Sequence, residues 1–398
     1  MTLLDDAAVL TTANAYKAGV LYSIKPDSGA ADLDITRAST ATTVSPLGII
    51  EPVDVNVPQI DYTDGCGSFW IEAQATNLVL YSGGINNAVW SKSDVTVVAD
   101  YSVPSPEANV YPFSYEMTTT SNFAQMYQTI TVVAGTSYTY SFYAHKGTMT
   151  DMKYKIFDMD NGADLVASTS YYSSLGSGWT RISKVFTTGA GNTTIRIYAL
   201  DSSHSIGTMY LWGLQLEENT SRKNMESSYI PTTLATVTRN ASSFVKTGLT
   251  STMGSADGVL FVEMAMFYNG VGSPSSNQKM MGWMSGGGRC ILGTWGSSWF
   301  AWLSGTGGNY IFSMTPSVAN GNFVKLAVKY KTGDHAYWKD GVELTTSTDA
   351  TVDAADQDVL VSSYQNIPNF WDFSGKIRTI QVYNRALTDP ELLALTTP

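Results

Sequence analysis

Alternation of apolar and polar residues dominates the middle of the chain. A period of two places Tyr138, Tyr140 and Phe142 on one face of a strand, with Thr and Ser between them. Residues 195–199 and 210–216 show the same pattern, and no helical stretch separates these segments. The pattern predicts half-buried strands assembled into a sandwich or jelly roll.

A second set of alternating residues follows closer to the carboxyl end. Val324, Leu326, Val328 and Tyr330 share one face, and lysines occupy the other, which predicts an antiparallel strand with one solvated face. Asp340-Gly341 lies between two strand-like stretches and predicts a tight hairpin, because glycine accepts positive φ. Thr388-Asp389-Pro390-Glu391 is a capping box before a leucine-rich turn, so one short helix is expected there.

These patterns predict an all-β protein of tandem antiparallel β-sandwiches (jelly rolls), with an extended N-terminal attachment segment and one short C-terminal helix. Residues 1–78 begin with a short amphipathic stretch, become turn-rich from Ile24, and are interpreted as the attachment and connector segment. Residues 79–217 form the first predicted sandwich, residues 218–256 a linker rich in Thr, Ser and Asn, and residues 257–398 the second sandwich. A chain of 398 residues is long enough for several cores.

Composition excludes several classes of function. With 23 Lys and Arg against 34 Asp and Glu, the net charge of -11 repels a phosphate backbone, so no nucleic-acid partner is expected. Asp5 and Asp6 stand where a secretory signal would carry basic residues, and no apolar run predicts membrane insertion. Cys66 and Cys290 lack metal-ligand spacing and are expected to be buried free thiols, with no metal and no cofactor.

A glycine-rich run of aromatic residues is the candidate carbohydrate-binding patch. Its residues are Trp295, Trp299, Trp302, Asn309 and Tyr310. Flat rings suit the C–H face of a sugar, and amides suit its hydroxyl groups. The alternative is that these tryptophans belong to a core or a subunit interface, because large aromatic side chains are usually mostly buried. Trp90, Trp179 and Tyr101, near predicted loops, give a weaker signal.

Catalytic and metal-binding patterns are missing from the sequence. No Glu-x-Asp-x-x-Glu triplet occurs, and Glu263 is alone on its predicted strand. The run from Asp158 to Asp164 begins like a calcium loop but lacks the downstream Glu, so a turn at Asn161-Gly162 is preferred. The acidic residues Asp349, Asp353, Asp356 and Asp358 are interpreted as a solvated loop. The protein is therefore expected not to be an enzyme.

Several segments of the first 240 residues resemble bacteriophage and prophage virion proteins. The resemblance rests on Leu21-Tyr22-Ser23-Ile24-Lys25-Pro26, Asp34-Ile35-Thr36-Arg37-Ala38-Ser39, Val55-Asn56-Val57-Pro58-Gln59-Ile60, Glu72-Ala73-Gln74-Ala75-Thr76-Asn77-Leu78, Leu211-Trp212-Gly213-Leu214-Gln215-Leu216-Glu217 and Ser228-Tyr229-Ile230-Pro231-Thr232. The last region is similar to concanavalin A-like or laminin G-like jelly rolls, through Trp338-Lys339-Asp340-Gly341 and Tyr383-Asn384-Arg385-Ala386-Leu387.

The resemblance implies a protein on the surface of a virion, with the tail favoured over the head. It favours a non-enzymatic tail fibre or receptor-binding component that recognises a host surface glycan. Other virion proteins are expected as partners through residues 1–78, and a homo-oligomer, with a trimer favoured, as the assembled form. A head fibre or a capsid or tail decoration protein without a ligand is the alternative, and a polysaccharide depolymerase ranks third.

Overall fold

The structure is a computed structural model. It describes residues 2–17, 20–107, 109, 112–219, 225–253, 257–266, 279–285, 288–295, 298–305, 308–316, 321–349, 360–361 and 373–398. Strands account for 52% of the residues and helices for 5%, which confirms the all-β class. Within these described ranges, no helix has the length and apolar character needed to cross a membrane.

The strands are numbered in chain order. They are β1 (Ala7–Lys17), β2 (Val20–Lys25), β3 (Asp34–Thr36), β4 (Ala41–Val44), β5 (Ile50–Val53), β6 (Ile60–Asp61), β7 (Ser68–Ile71), β8 (Ala75–Asn77), β9 (Ser91–Ser93), β10 (Val95–Asp100), β11 (Ser114–Thr119), β12 (Gln125–Thr131), β13 (Ser137–Lys146), β14 (Lys153–Asp158), β15 (Ala163–Ser170), β16 (Thr180–Thr187), β17 (Thr194–Leu200), β18 (Gly207–Glu218), β19 (Val237–Arg239), β20 (Ser243–Lys246), β21 (Gly258–Met266), β22 (Lys279–Ser285), β23 (Gly288–Trp295), β24 (Ser298–Gly305), β25 (Gly308–Pro316), β26 (Phe323–Tyr330), β27 (His335–Lys339), β28 (Val342–Ser347), β29 (Leu360–Val361) and β30 (Gly375–Tyr383). The helices are α1 (Leu3–Asp6), α2 (Thr250–Met253) and α3 (Asp389–Thr396).

The middle of the chain folds into a sandwich of two five-stranded antiparallel sheets, called the middle sandwich. One sheet has the order β10-β11-β18-β13-β16 and the other β15-β14-β17-β12-β9. Tyr138, Tyr140 and Phe142 of β13 point into the core between the sheets, as their alternation predicts. The core also contains Trp90, which the sequence had suggested as a loop residue.

Strand β13 is more buried than its alternation predicts. The polar face of Thr139 and Ser141 is also covered, so the strand is not half-buried. The covering chain is the segment 225–230, which lies over this sheet. Arg181 links this segment to the sheet. It donates one hydrogen bond to the Ser227 carbonyl (2.7 Å) and another to Ser141 Oγ (3.1 Å). The hydroxyls on this face thus act as buried hydrogen-bonding groups.

A β-bulge in β18 decides on which face of the sheet its side chains lie. The register with β13 shifts so that Tyr143 pairs with Trp212 and Ser141 with Gln215, and Gly213 in between takes φ +61°. Leu211 therefore lies in the core, while Trp212 lies on the opposite face. The sequence pattern had grouped Tyr210 and Trp212 on one face with Leu214 and Leu216. The bulge separates them, and those two leucines belong to the core.

The second sandwich packs a nine-stranded sheet on a seven-stranded sheet. The larger sheet has the order β2-β1-β30-β21-β26-β27-β28, with β7 also on β30 and β6 on β7, and the smaller has the order β25-β24-β23-β22-β29-β20-β3. Their shared core includes Leu260, Val262, Leu292, Leu326 and Ile380. The tandem sandwiches predicted from the sequence are thus present.

Residues 1–78 are not a separate extended connector in this structure. Ala7 of β1 pairs with Tyr383 of β30, and Ile71 of β7 pairs with Gly375 on the same strand. Strand β3 joins the other sheet of the second sandwich by pairing with β20. The physical reason is that an isolated strand leaves its backbone groups unpaired, whereas adding to an existing sheet edge satisfies them.

The predicted linker, residues 218–256, is also structured where it is described. Strand β19 pairs with β8, and β20 pairs with β3 and β29. Both partners β3 and β8 come from the first 78 residues, so the two regions form one connection between the sandwiches. A Thr- and Ser-rich composition suggested a loop, but these hydroxyls satisfy backbone groups inside the packed structure. Thr232, for example, donates a hydrogen bond to the Val79 carbonyl (2.5 Å).

The centre of this connection is a buried cluster around Glu72, which we call the Glu72 clasp. Its carboxylate accepts hydrogen bonds from Ser228 N (2.7 Å), Ser228 Oγ (2.7 Å) and Gln59 Nε2 (2.6 Å), and pairs with Arg239 Nη2 at 3.3 Å. Arg37 lies close by, and burial followed by repulsion from Arg239 lowers its pKa to about 10. The clasp joins chain segments that are far apart in sequence.

The predicted hairpin and C-terminal helix are confirmed. Asp340 and Gly341 both take positive φ, 47° and 79°, and connect β27 to β28. Helix α3 begins with the capping box formed by Thr388 and Glu391. It packs over the outer face of β26, where Lys329 pairs with Asp389 at 3.2 Å. The lysine face of β26 is therefore partly covered rather than fully solvated.

The two thiols are free, but only one matches its prediction. Cys290 is buried in the second sandwich, and burial raises its pKa well above the usual value. Cys66 is exposed, because it lies in the turn between β6 and β7. The expectation of two buried thiols was wrong for Cys66.

Candidate functional site

The aromatic run proposed as a sugar-binding patch is divided between neighbouring strands of the seven-stranded sheet. Trp295 ends β23, Trp299 and Trp302 lie in β24, and Asn309 and Tyr310 lie in β25. The side chains of Trp295, Asn309 and Tyr310 lie outside the described residues. Backbone register places Trp299 opposite Thr294 and Trp302 opposite Ile291.

Trp299 does not belong to a surface patch. It is 1% exposed and packs in the core with Cys290, Leu292, Ala301 and Leu303. Alternation along β24 turns residues 299, 301 and 303 inward. Trp302 lies on the other face and is partly exposed. A sugar site at Trp302 stays a prediction, but without the ring of Trp299.

The middle sandwich carries a better-defined concavity, which we call the aromatic cleft. It has a volume of about 200 Å³. Five aromatic side chains supply most of its wall: Tyr81, Phe113, Tyr115, Trp212 and Tyr229. They come from the loop after β8, from β11 and the residue before it, from β18, and from the segment 225–230.

Several of the rings form a row, of which Trp212 is buried and Phe113 and Tyr115 are partly exposed. Tyr115 and Trp212 stack with centroids 6.3 Å apart and planes 15° apart. Phe113 meets the edge of Tyr115 at 5.5 Å, and exposed Tyr101 extends the row beyond Phe113 at 5.3 Å. Because Phe113 and Tyr115 are only partly buried, part of each ring stays accessible. Such rings can pack against the apolar C–H face of a sugar.

Glu107 supplies the carboxyl group of the cleft. It is 6% exposed, and Trp212 Nε1 donates a hydrogen bond to its Oε2 at 3.3 Å. Among the described residues, no other side chain donates a hydrogen bond to this carboxyl group. Burial raises the pKa of Glu107 to about 7, so near neutral pH it can both donate and accept hydrogen bonds.

The loop between β8 and β9 shapes the opposite wall. Gly83 approaches Trp212 so closely that a Cβ atom there would lie 3.1 Å from the indole ring. Trp90 Nε1 holds the loop by donating to the Tyr81 carbonyl at 3.2 Å. Lys92 Nζ donates to the carbonyls of Asn87 (2.8 Å) and Trp90 (3.0 Å), and burial lowers its pKa. The cleft wall is therefore a fixed part of the fold.

The titration of Glu107 predicts how stability depends on pH. Its pKa in the folded protein, about 7, lies above the ordinary 4.5, so ionisation opposes folding. The contribution of this group is most favourable below pH 4.5 and is lost as the pH rises through 7. We expect Glu107→Gln to be more stable relative to the wild type at pH 8 than at pH 4, by on the order of 3 kcal/mol.

Urea unfolding of both proteins at these two pH values measures the difference. Glu343→Gln, which changes an exposed carboxylate in the same way, serves as the control and should show no such pH dependence. If Glu107→Gln changed the free energy of unfolding equally at both pH values, the raised pKa of Glu107 would be contradicted.

A second acidic cluster lies on the outer face of the middle sandwich. The hydroxyl of Tyr210 lies 2.8 Å from Asp100 Oδ2 and 3.0 Å from Glu116 Oε2. The two carboxyl groups thus approach each other closely, but the phenol lies between them and occupies the space a reacting bond would need. Trp179, whose Nε1 donates to the Pro104 carbonyl at 2.8 Å, lies nearby with its ring 5.6 Å from that of His145.

The Asp158 loop is a hairpin turn. The Asp158 carboxylate accepts hydrogen bonds from Asp160 N (2.9 Å), Asn161 N (2.9 Å) and Asn192 Nδ2. The Asp158 carboxylate is therefore engaged in hydrogen bonds within the turn. Gly162 takes φ +66° before β15 begins. Within the described parts of the chain, no three His, Cys, Asp or Glu side chains group as metal ligands would. Of the acidic residues after β28, Asp353, Asp356 and Asp358 lie outside the described residues.

Sequence reasoning missed the aromatic cleft, although signals for it were present. The segments 211–217 and 228–232, which carry the resemblance to virion proteins, supply Trp212, Tyr229 and Pro231 to its lining. Gly83-Gly84 before a strand also indicates a close backbone approach. Only the fold, however, brings these distant segments to Glu107.

Comparison with known proteins supports a lectin-like fold for the last region. Residues 271–393 match a laminin G family model described as the concanavalin A-like lectin/glucanases superfamily. This part of the chain is therefore similar to a concanavalin A-like lectin/glucanase domain. No curated protein matches the chain.

Several solved structures align with part of this chain at low identity. The enzymatically active domain of tailspike protein 4 of bacteriophage CBA120 is 20% identical over 36% of this chain and 21% of that chain, with a TM-score of 0.29. The Ruminococcus gnavus sialidase module CBM40, solved with α2,3-sialyllactose, is 18% identical. The alignment covers 38% of this chain and 91% of that module, with a TM-score of 0.32. Domain 4 of the Geobacillus stearothermophilus arabinanase AbnA, solved with arabinotriose, is 16% identical. The alignment covers 43% of this chain and 81% of that domain, with a TM-score of 0.31. Each alignment concerns less than half of this chain.

Proposed function

We propose that this chain is a non-enzymatic structural protein of a bacteriophage particle that binds a glycan on the host surface, as a tail fibre or receptor-binding component. The aromatic cleft is the observation that carries the proposal. It combines accessible ring faces with one buried carboxyl group, which is the chemistry that sugar recognition requires. The lectin-like match of residues 271–393 and the resemblance of the first 240 residues to virion proteins support it.

The cleft is better suited to binding than to hydrolysis. Glycoside hydrolysis uses two carboxyl groups on either side of the scissile bond. Among the described residues lining the cleft, Glu107 alone carries a carboxyl group. At the second acidic cluster, Tyr210 fills the space between Asp100 and Glu116. A polysaccharide depolymerase therefore ranks below a binding protein.

Multiple copies would raise the weak affinity of a single small cleft. Linked sites increase the effective concentration of each binding group, so a homotrimer, the assembly favoured by the resemblance, would hold a cell surface more tightly than one chain. Attachment to other virion proteins is assigned to residues 1–78, which also contribute β1 and the edge strand β2 to the second sandwich.

Glycan-array binding by the full chain tests the proposal. The full chain is needed because β1, β3 and β7 complete the sheets of the second sandwich, so a fragment beginning near residue 240 would lack them. We expect binding to a limited set of glycans. A blank array, with no binding to host cells, would favour a decoration protein without a ligand. Release of new reducing ends from host polysaccharide would show an enzyme instead.

A further inference from the structure

The aromatic cleft has an unusual balance of charge for a site that meets cell-surface sugars. Glu107 can become negative, and neither Lys nor Arg is present among the described residues that line the cleft. The whole chain carries a net charge of -11. A carboxylate brought into this cleft would therefore meet negative potential and find no cationic side chain to pair with it.

The cleft is also small. Its volume of about 200 Å³ lies below the roughly 300–1,000 Å³ typical of pockets that enclose drug-sized ligands. One sugar ring fits this volume better than two. Gly83 packs directly on Trp212, where a Cβ atom would lie 3.1 Å from the indole ring, so no ligand fits between these two residues.

Two buried hydroxyl groups of the lining already have partners inside the protein. The Tyr229 hydroxyl shares a hydrogen bond with Ser82 Oγ at 2.8 Å, and Thr232 Oγ1 donates to the Val79 carbonyl. Glu107 supplies the carboxyl group of the lining and has one described hydrogen-bond donor, Trp212 Nε1, so it can exchange a further hydrogen bond with a bound ligand. The ligand must therefore present an apolar face to the rings and a hydroxyl or amide group to Glu107.

We propose that the aromatic cleft binds a single uncharged sugar unit at the end of a glycan chain and rejects sugars that carry a carboxylate. This inference rests on the proposed function and narrows it to a ligand class. Sialic acids and uronic acids are excluded by the same physical argument, because each would bring an unpaired carboxylate next to Glu107.

Matched pairs of glycans test this selectivity. Each pair shares one neutral oligosaccharide, and one member carries an additional terminal sialic acid or uronic acid. We expect the full chain to bind the neutral members at least tenfold more tightly by calorimetry at pH 7. Tighter binding of the acid-capped members would overturn the inference, as would equal binding of a sugar whether it is terminal or internal. Either result leaves glycan binding itself intact, whereas no binding to any member would overturn both proposals.

A single added cation should change this preference. Thr233 lines the cleft and is exposed, so Thr233→Lys places an ammonium group at its rim without burying it. We expect the variant to bind acid-capped glycans at least fivefold better than the wild type does. Thr120→Lys makes the same change at an exposed position outside the cleft lining and should leave the preference unaltered. Equal gains in both variants would indicate general charge attraction and would contradict selection by the cleft.

Discussion

Replacing Arg239 by methionine is expected to lower the free energy of unfolding by about 3–5 kcal/mol. Arg239 is 1% exposed and Glu72 is 3% exposed, so the substitution leaves a buried carboxylate without its cationic partner. It also removes the hydrogen bond from Arg239 Nη2 to the Ala73 carbonyl at 2.8 Å. Chemical denaturation monitored by tryptophan fluorescence measures the loss.

Two further variants identify the cause of that loss. Lys246→Met removes a pair in which Lys246 Nζ lies 3.9 Å from the exposed carboxylate of Asp34, and should change stability by less than about 1 kcal/mol. Replacing Glu72 and Arg239 together by methionine should recover part of the loss, because no unpaired charge then stays buried. If Arg239→Met and Lys246→Met lowered the free energy of unfolding by similar amounts, burial of the Glu72 clasp would not be the cause of the loss in Arg239→Met.

Replacing Phe113 by alanine is expected to weaken glycan binding at least tenfold, which corresponds to about 1.4 kcal/mol. The ring of Phe113 lines the aromatic cleft and packs against both Tyr101 and Tyr115, so its loss removes a contact surface for the sugar. Phe113 is partly exposed, so the fold should persist. Calorimetric titration with the best glycan from the array gives the change in affinity.

Phe123→Ala is the matched control for this variant. Phe123 is 68% exposed and does not line the cleft, so the same substitution there should leave affinity unchanged. If Phe113→Ala binds as tightly as the wild type while Phe123→Ala does not, the sugar site lies elsewhere on the molecule.

Local features of this fold were readable from the sequence because they depend on neighbouring residues. The alternation of Tyr138, Tyr140 and Phe142, the Asp340-Gly341 turn and the capping box at Thr388 each depend on a few consecutive residues. The core position of Trp299 agrees with the alternation along β24 and with the alternative, stated above, that these tryptophans belong to a core.

Long-range pairing was not readable in this way. Nothing in the sequence near Ala7 indicates that its strand adds to β30, and nothing near Thr238 indicates that β19 adds to β8. The same holds for the aromatic cleft, whose lining comes from segments between Tyr81 and Val237. The bulge at Gly213, which turns Trp212 towards the cleft, shifts the alternation that would otherwise identify its face.

The pairing of both β1 and β7 with β30 has a consequence for biosynthesis. Strands β1 and β7 leave the ribosome before β30 and cannot complete their hydrogen bonding until β30 has been made. Strand β21 also pairs with β30, so one of its edges stays unpaired until β30 has been made. A nascent chain, or one cut short before residue 375, would thus present several unpaired strand edges at once, and such edges invite aggregation. We therefore expect these early strands to be more prone to aggregation than the folded protein until β30 has been made.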